Sequence, residues 1–227
     1  MVFVEKDFCQ PKYVGKVDAL ICEGTTLNRP DYSHISEQEL QSQIKTVLEE
    51  NKYVFVLCSS TNFDRIASVC SVIPKGKYCI CDDYQCEMIQ YLRQTGGTKS
   101  AVYACDGILR YGRNLDERMT DKGFCMFVRS GNPFHRQTME RFPDAVVIYS
   151  MWKGYLERPD MQAFLRGFHR IELHTSGHAD GETIRTVIDT VDPGFIIPMH
   201  TEKPDAFISL ADGRRILFPQ DGDCITL

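Results

Sequence analysis

Short apolar runs alternate with amphipathic stretches through most of this chain, and that alternation predicts a mostly parallel α/β protein. Residues 17–22 (VDALIC), 53–58, 77–81, 124–128 and 145–149 are apolar runs of the kind buried in a covered parallel sheet. Behind 36–39 (SEQE), a capping box, Leu40, Ile44, Val47 and Leu48 repeat at helical spacing. Asp64, Ile66 and Val69 predict a second helix, residues 82 to about 93 a third, and RSGNPFHRQTMERF a loop and a short helix. Residues 94–122 are polar and glycine-containing, and no single structure is assigned to them. Residues 151–167 read as a surface connection with one helix around Met161 to Leu165.

The C-terminal third centres on IELHTSGHADGETIRTVIDTVDPGFIIPMHTEK, residues 171–203. It predicts a strand ending at His174, a loop carrying His178, a helix, and a strand that ends at His200. Ile184, Val187, Ile188 and Val191 give the helix its apolar face. Asp180 and Glu182 crowd its first turn, and Pro193-Gly194 stops it. A helix near 206–210 and strands at 215–218 and 224–227 close the chain. In α/β units functional groups collect where strands end and helices begin, so this stretch holds two histidines in that position.

Composition narrows the function classes. A length of 227 residues, 43% hydrophobic and 25% charged, suits a soluble chain of one large or two small domains. The net charge of −5 supplies no overall basic footprint for nucleic acid, although a local basic groove stays open. No stretch approaches the ~20 apolar residues of a membrane helix, and the first residues do not read as a leader peptide. Ten cysteines in that setting predict reduced thiols and a cytoplasmic protein. Cys79, Cys81 and Cys86 lie closest together, but without paired C-x₂-C spacing they read as buried thiols.

Three histidines within the 27 residues from His174 to His200 read either as hydrogen-bonded structural groups or as metal ligands, and the two readings balance. The i, i+4 pair His174 and His178 lacks a helix and the H-E-x-x-H glutamate, so a helical zinc motif is rejected. Ser176 to Gly181 and Ser59 to Asn62 both open helices, either as plain caps or as phosphate sites. Glu23, at a strand end, is either a solvated carboxylate or the partner that orients an imidazole.

Taken together, VDALICEGTTL, SSTNFDR, HTSGHAD and IIPMHTEKP resemble the β-CASP branch of the metallo-β-lactamase superfamily, the branch of ribonuclease J and the polyadenylation-factor endonuclease. By position Glu23 matches the family's acidic strand end, His178 its S-[AG]-H loop and His200 its P-x-H strand end. The resemblance implies a zinc-dependent hydrolase of RNA or another phosphodiester. It also implies a partial lactamase sandwich, 1–30 with 166–227, interrupted by an α/β β-CASP domain of mostly parallel strands at 31–165. Glu23 and His178 would form the catalytic proton-handling pair and His200 a metal ligand. Ser59, Ser60 and Ser176 would hold substrate phosphates. The alternatives are a non-catalytic phosphate- or nucleic-acid-binding module on this scaffold, and a family hydrolase with another substrate.

The H-x-H-x-D-H motif, the next histidine ligand and the bridging aspartate do not occur before Glu23. The expectation is therefore that this stretch corresponds to the C-terminal portion of a longer enzyme. Two zinc ions would need a lactamase half supplied separately, because one ligand does not hold catalytic zinc. An apolar face left open by the missing half would favour self-association.

Overall fold

The structure is a computed structural model that describes residues 15–27, 35–95, 103, 105–112, 115–220 and 222–225. In chain order the elements are β1 (Ala19–Glu23), α1 (Glu37–Glu50), β2 (Tyr53–Leu57), α2 (Phe63–Ser71), β3 (Tyr78–Cys81), α3 (Asp83–Thr95) and β4 (Ile108–Arg110). There follow α4 (Asp116–Lys122), β5 (Phe124–Val128), α5 (Pro133–Glu140), β6 (Val146–Tyr149), α6 (Pro159–Leu165) and β7 (His169–Glu172). The chain closes with α7 (Gly181–Val191), β8 (Phe195–Met199) and β9 (Arg215–Ile216). Every described strand pair is parallel, in accord with the α/β class expected from the alternation.

Two compact units divide the chain, one of residues 1–34 and 176–227 and the other of residues 35–175. The second unit carries a six-stranded sheet in the order β4-β3-β5-β2-β6-β7. Alternate residues of β2 serve opposite faces. Val54 and Val56 join a cluster with Leu40, Ile44, Ile66 and Ile89. Phe55 and Leu57 join one with Met119, Met139, Met161 and Phe164. Helices thus cover both faces, which is why the strands read as continuous apolar runs rather than alternating ones. The capping box of α1 forms as expected, with Glu39 N–H on Ser36 Oγ at 3.2 Å and Ser36 N–H on the Glu39 carboxylate at 2.9 Å.

Several expectations need correction. The boundary drawn at 165/166 falls too early, because β7 pairs with β6 and belongs to the six-stranded sheet. That strand ends at Glu172, so His174 lies beyond it, in the loop. Helix α6 is no surface feature: Met161, Phe164 and Leu165 are buried, since a helix there must seal one face of the sheet. Within 94–122 the structure forms β4 and α4, and the sequence hid them because a three-residue edge strand and one charged helical turn carry no clear periodicity. Of the helix expected near 206–210, residues 206–209 fall in a 3₁₀ segment (Pro204–Ser209) rather than an α-helix. β9 stops at Ile216, and residues 223–225 form no strand. The last two residues and most of the 28–35 connection lie outside the described residues.

The first unit is a three-stranded sheet in the order β1-β8-β9, packed on α7 through Leu20, Cys22, Ile184, Ile188, Ile196 and Phe207. Ile21 points the opposite way and is 63% exposed, and Met199 is 52% exposed. Among the described residues no helix is long and apolar enough to cross a membrane.

Polar groups are buried at the carboxyl end of the six-stranded sheet. Arg65 of α2, 1% exposed, donates to Glu37 at 2.6 Å and to the Ser150 hydroxyl. Truncating Arg65 to Ala leaves the Glu37 carboxylate with a buried oxygen and no counter-charge. We expect this substitution to destabilise the protein by about 3 kcal/mol in urea unfolding; a loss below about 1 kcal/mol would contradict the assignment.

His174 lies near the same arginine. Burial first, then the Arg65 charge, lowers its pKa to about 4 against 6.5, while a hydrogen bond to the Ser150 backbone and the Glu37 charge oppose the shift. The folded state therefore resists protonating this ring. Its contribution to stability is complete above about pH 6.5 and is lost as the pH falls toward about 4. A His174→Gln variant should show a shallower decline in unfolding free energy across that window than the parent. Parallel curves would refute the reading.

Candidate functional site

The parallel pairing of β1 with β8 sets Glu23 beside Met199, so the ends of two strands far apart in sequence meet at one sheet edge. Glu23 closes β1, and His200 follows β8 immediately. The backbone of His200 is left-handed, at φ 48°, an uncommon state for a non-glycine residue and one that gathers at functional sites. Gly24 follows Glu23 because nothing larger fits: a Cβ there would lie 2.5 Å from the Phe207 ring.

His178 arrives from the loop before α7. Its N–H donates to Ser176 Oγ at 3.1 Å, and Asp180 caps the helix by accepting the Thr183 N–H at 2.7 Å. Glu23 clamps this loop. One carboxylate oxygen accepts the Ala179 N–H at 2.9 Å, and the other accepts the Thr25 N–H at 2.9 Å and faces His178 Nδ1 at 3.3 Å. The Thr26 hydroxyl adds a bond to the Ala179 carbonyl. Burial pushes the Glu23 carboxyl up, but the Thr25 and Ala179 N–H groups and then the His178 charge hold it below its ordinary value.

Thr25 sets the His200 ring. Its hydroxyl lies 3.1 Å from both the His200 carbonyl oxygen and His200 Nδ1, and when it donates to the carbonyl it accepts an Nδ1–H. With Nδ1 engaged there, Nε2 is the ring nitrogen left open. The His178 and His200 rings stand 5.5 Å apart at 49°. One donor atom each from Glu23, His178 and His200 lie within 4.8 Å of one another, and this is the group of potential metal ligands found among the described residues.

The structure thus brings together Glu23, His178 and His200, with Ser176 bracing the loop. Ser59 and Ser60 belong to the other unit, where the Ser59 hydroxyl bonds Thr61 and the Ser60 carbonyl accepts from Gln85. His174, beyond β7, is likewise not part of the cluster. Sequence reasoning missed Thr25, Thr26 and the Ala179 N–H. The run Glu-Gly-Thr-Thr directly after a strand was the available signal, since hydroxyls in a turn beside a carboxylate commonly orient neighbouring groups.

No protein-family model matches the chain, and no curated protein does. Among solved structures, a protein of unknown function from Enterococcus faecalis V583 aligns with 95% of this chain at a TM-score of 0.66 and 18% identity. The alignment covers 53% of that protein's chain, so the present chain spans about half the length of the structure it matches. At that identity the likeness shows the α/β fold.

The clamp on Glu23 has a direct spectroscopic consequence. In a ¹³C carboxyl titration we expect the Glu23 midpoint to fall below the ~4.3 of ordinary glutamates. A midpoint at or above that value would mean that the Thr25 and Ala179 bonds do not form in solution.

Proposed function

We propose that the chain carries one side of the active site of a zinc-dependent hydrolase that cleaves RNA or a related phosphodiester. The observation that carries this reading is the Glu23–His178 pair standing beside a His200 whose Nδ1 is engaged by Thr25. It agrees with the order of the β-CASP motifs in the sequence, and on this reading the three-stranded unit is part of a lactamase sandwich.

The residues fit the metal in chemistry. His200 presents Nε2, with its other ring nitrogen held by a hydroxyl, the support that metal-binding histidines usually have. Ligand atoms around tetrahedral zinc stand roughly 3.4 Å apart, given bonds of about 2.0–2.1 Å. The spread of up to 4.8 Å here, with His178 Nδ1 turned toward Glu23, favours His200 as ligand and the other two as a proton-handling pair. Bound zinc would supply Lewis acidity to the attacking water and the phosphoryl oxygens.

The chain's own contribution follows from geometry. The Glu23 carboxylate faces His178 Nδ1 at 3.3 Å, so on this reading Nε2 is the atom that exchanges a proton. A protonated Nε2 can pass that proton to the leaving oxygen as the P–O bond breaks. Glu23 meanwhile stabilises the positive ring. Ser176 is the proposed phosphate contact within this unit.

Cleavage of single-stranded RNA should require this chain together with a lactamase half bearing H-x-H-x-D-H, and a chelator should stop it. In that complete enzyme, Glu23→Gln and His178→Ala should each slow turnover by about 10²–10⁴-fold with metal content unchanged. His200→Ala should lower metal content as well. Equal metal loss in all three variants would sink the division of roles. A complete enzyme that binds RNA without cutting it would favour a binding module instead.

A further inference from the structure

Large aromatic rings stand open to solvent along one end of the six-stranded sheet. Its described strand pairs are parallel, so the carboxyl ends of the strands and the segments that follow them share one side. Tyr84 follows β3, Phe134 follows β5 and Trp152 follows β6, and they are 44%, 39% and 50% exposed. The strand order β3-β5-β2-β6 spreads them over about 14 Å of sheet. This is the end of an α/β sheet at which ligands bind.

Two of the rings are held as platforms. The Trp152 indole lies against Gly154, where a Cβ would stand 2.3 Å from indole Cη2 and 2.5 Å from Cζ2, so only glycine leaves room for it. Tyr155 meets the indole edge-on, with centroids 5.3 Å apart at 87°. The Trp152 carbonyl accepts the Tyr149 hydroxyl at 2.9 Å and the Tyr155 N–H at 3.1 Å, which fixes the backbone beneath the ring. Nearby Met151 and Leu156 pack against the core, while the indole is held outward. Tyr84 is backed by the Arg129 guanidinium, 4.4 Å from its centroid, and Arg129 is fixed in turn by the Asp82 carboxylate.

Cations stand among these rings. The exposed Lys153 follows Trp152 directly, and Arg158 lies 5.9 Å from the Tyr155 centroid. Arg158 also pairs with Asp160 at 2.8 Å, but both side chains are exposed, and such a pair is weak enough to yield to another anion. Rings that stack any base, with cations that meet any phosphate, make a surface for single-stranded nucleic acid. A net charge of −5 gives the chain no general attraction for polyanions, so stacking has to supply most of the affinity.

We propose that the carboxyl end of the six-stranded sheet binds single-stranded RNA, with bases stacked on Trp152 and Tyr84 and phosphates met by Lys153 and Arg158. Phe134, between the two platforms in strand order, offers a third ring. The choice of RNA as the strand rests on the hydrolase reading, whereas the placement of the rings does not.

Trp152 is the chain's only tryptophan, so its emission reports on this surface alone. Titrating the whole metal-free chain with single-stranded oligoadenylate at low salt should quench that emission to a saturable limit. The same strand annealed to oligouridylate, and inorganic phosphate, should leave it unchanged. In anisotropy with a labelled oligoadenylate, Trp152→Ala and Tyr84→Ala should each weaken binding about tenfold, and Trp152→Phe should restore much of the loss. The proposal is overturned if the single strand gives no saturable quenching, or if the duplex or a neutral oligosaccharide quenches as well as it does. It is equally overturned if Trp152→Ala binds the strand as tightly as the parent. The wild-type titration alone suffices should a variant fail to fold. None of these measurements needs cleavage: a completed enzyme that cuts RNA without quenching sinks this surface alone, and quenching without cutting sinks the hydrolase reading alone.

Discussion

The parallel pairing of β1 with β8 is the constraint on which the candidate site depends. It aligns Ala19 with Phe195 and ends with Glu23 beside Met199. In a parallel pair both strands run out on the same side, so the turn after β1 and the turn after β8 open together. One residue of slip would send every side chain to the opposite face and take Glu23 away from the Ala179 N–H. Leu20, Cys22 and Ile196 resist that slip, because only the present register seats all three against α7. Gly24 then lets the chain pass the Phe207 ring without a clash.

Orientation within the site comes from backbone groups and one hydroxyl rather than from a dense ionic network. Glu23 is aimed by two N–H donors, and these also keep it ionised beside His178. His200 is aimed by Thr25, whose hydroxyl lies 3.1 Å from both the carbonyl and the Nδ1 of the same histidine. Such supports cost little reorganisation when charge moves, as a proton-transfer pair and a metal ligand require.

The six-stranded unit follows a different logic. Its strands are buried on both faces, and polar groups collect where the strands end. The buried Arg65 and Ser150 form one set with the half-exposed Glu37. Asp82, Arg129, Asn132 and His135 form another, in which the carboxylate accepts from Arg129 and Asn132 and stands 3.3 Å from His135 Nε2. The His135 ring accepts the Arg129 N–H at Nδ1, so the N–H at Nε2 faces Asp82.

Local patterning was enough to determine which stretches became helix and strand wherever burial on one or both faces imposed a period. The α1 stripe, its capping box, the runs of β2, β5 and β6, and the α7 face are all readable one residue at a time, because each depends on neighbours within a turn or two. The residue types of Glu23, His178 and His200 at element ends were legible for the same reason. Tertiary structure decided what a local pattern does not encode. It placed β7 and His174 with the six-stranded sheet, buried α6, and made an edge strand of residues too few to show a period. It also brought Glu23 to His178 and gave Thr25 its place beside His200. Those contacts join positions more than 150 residues apart along the chain, and only the parallel register makes them neighbours.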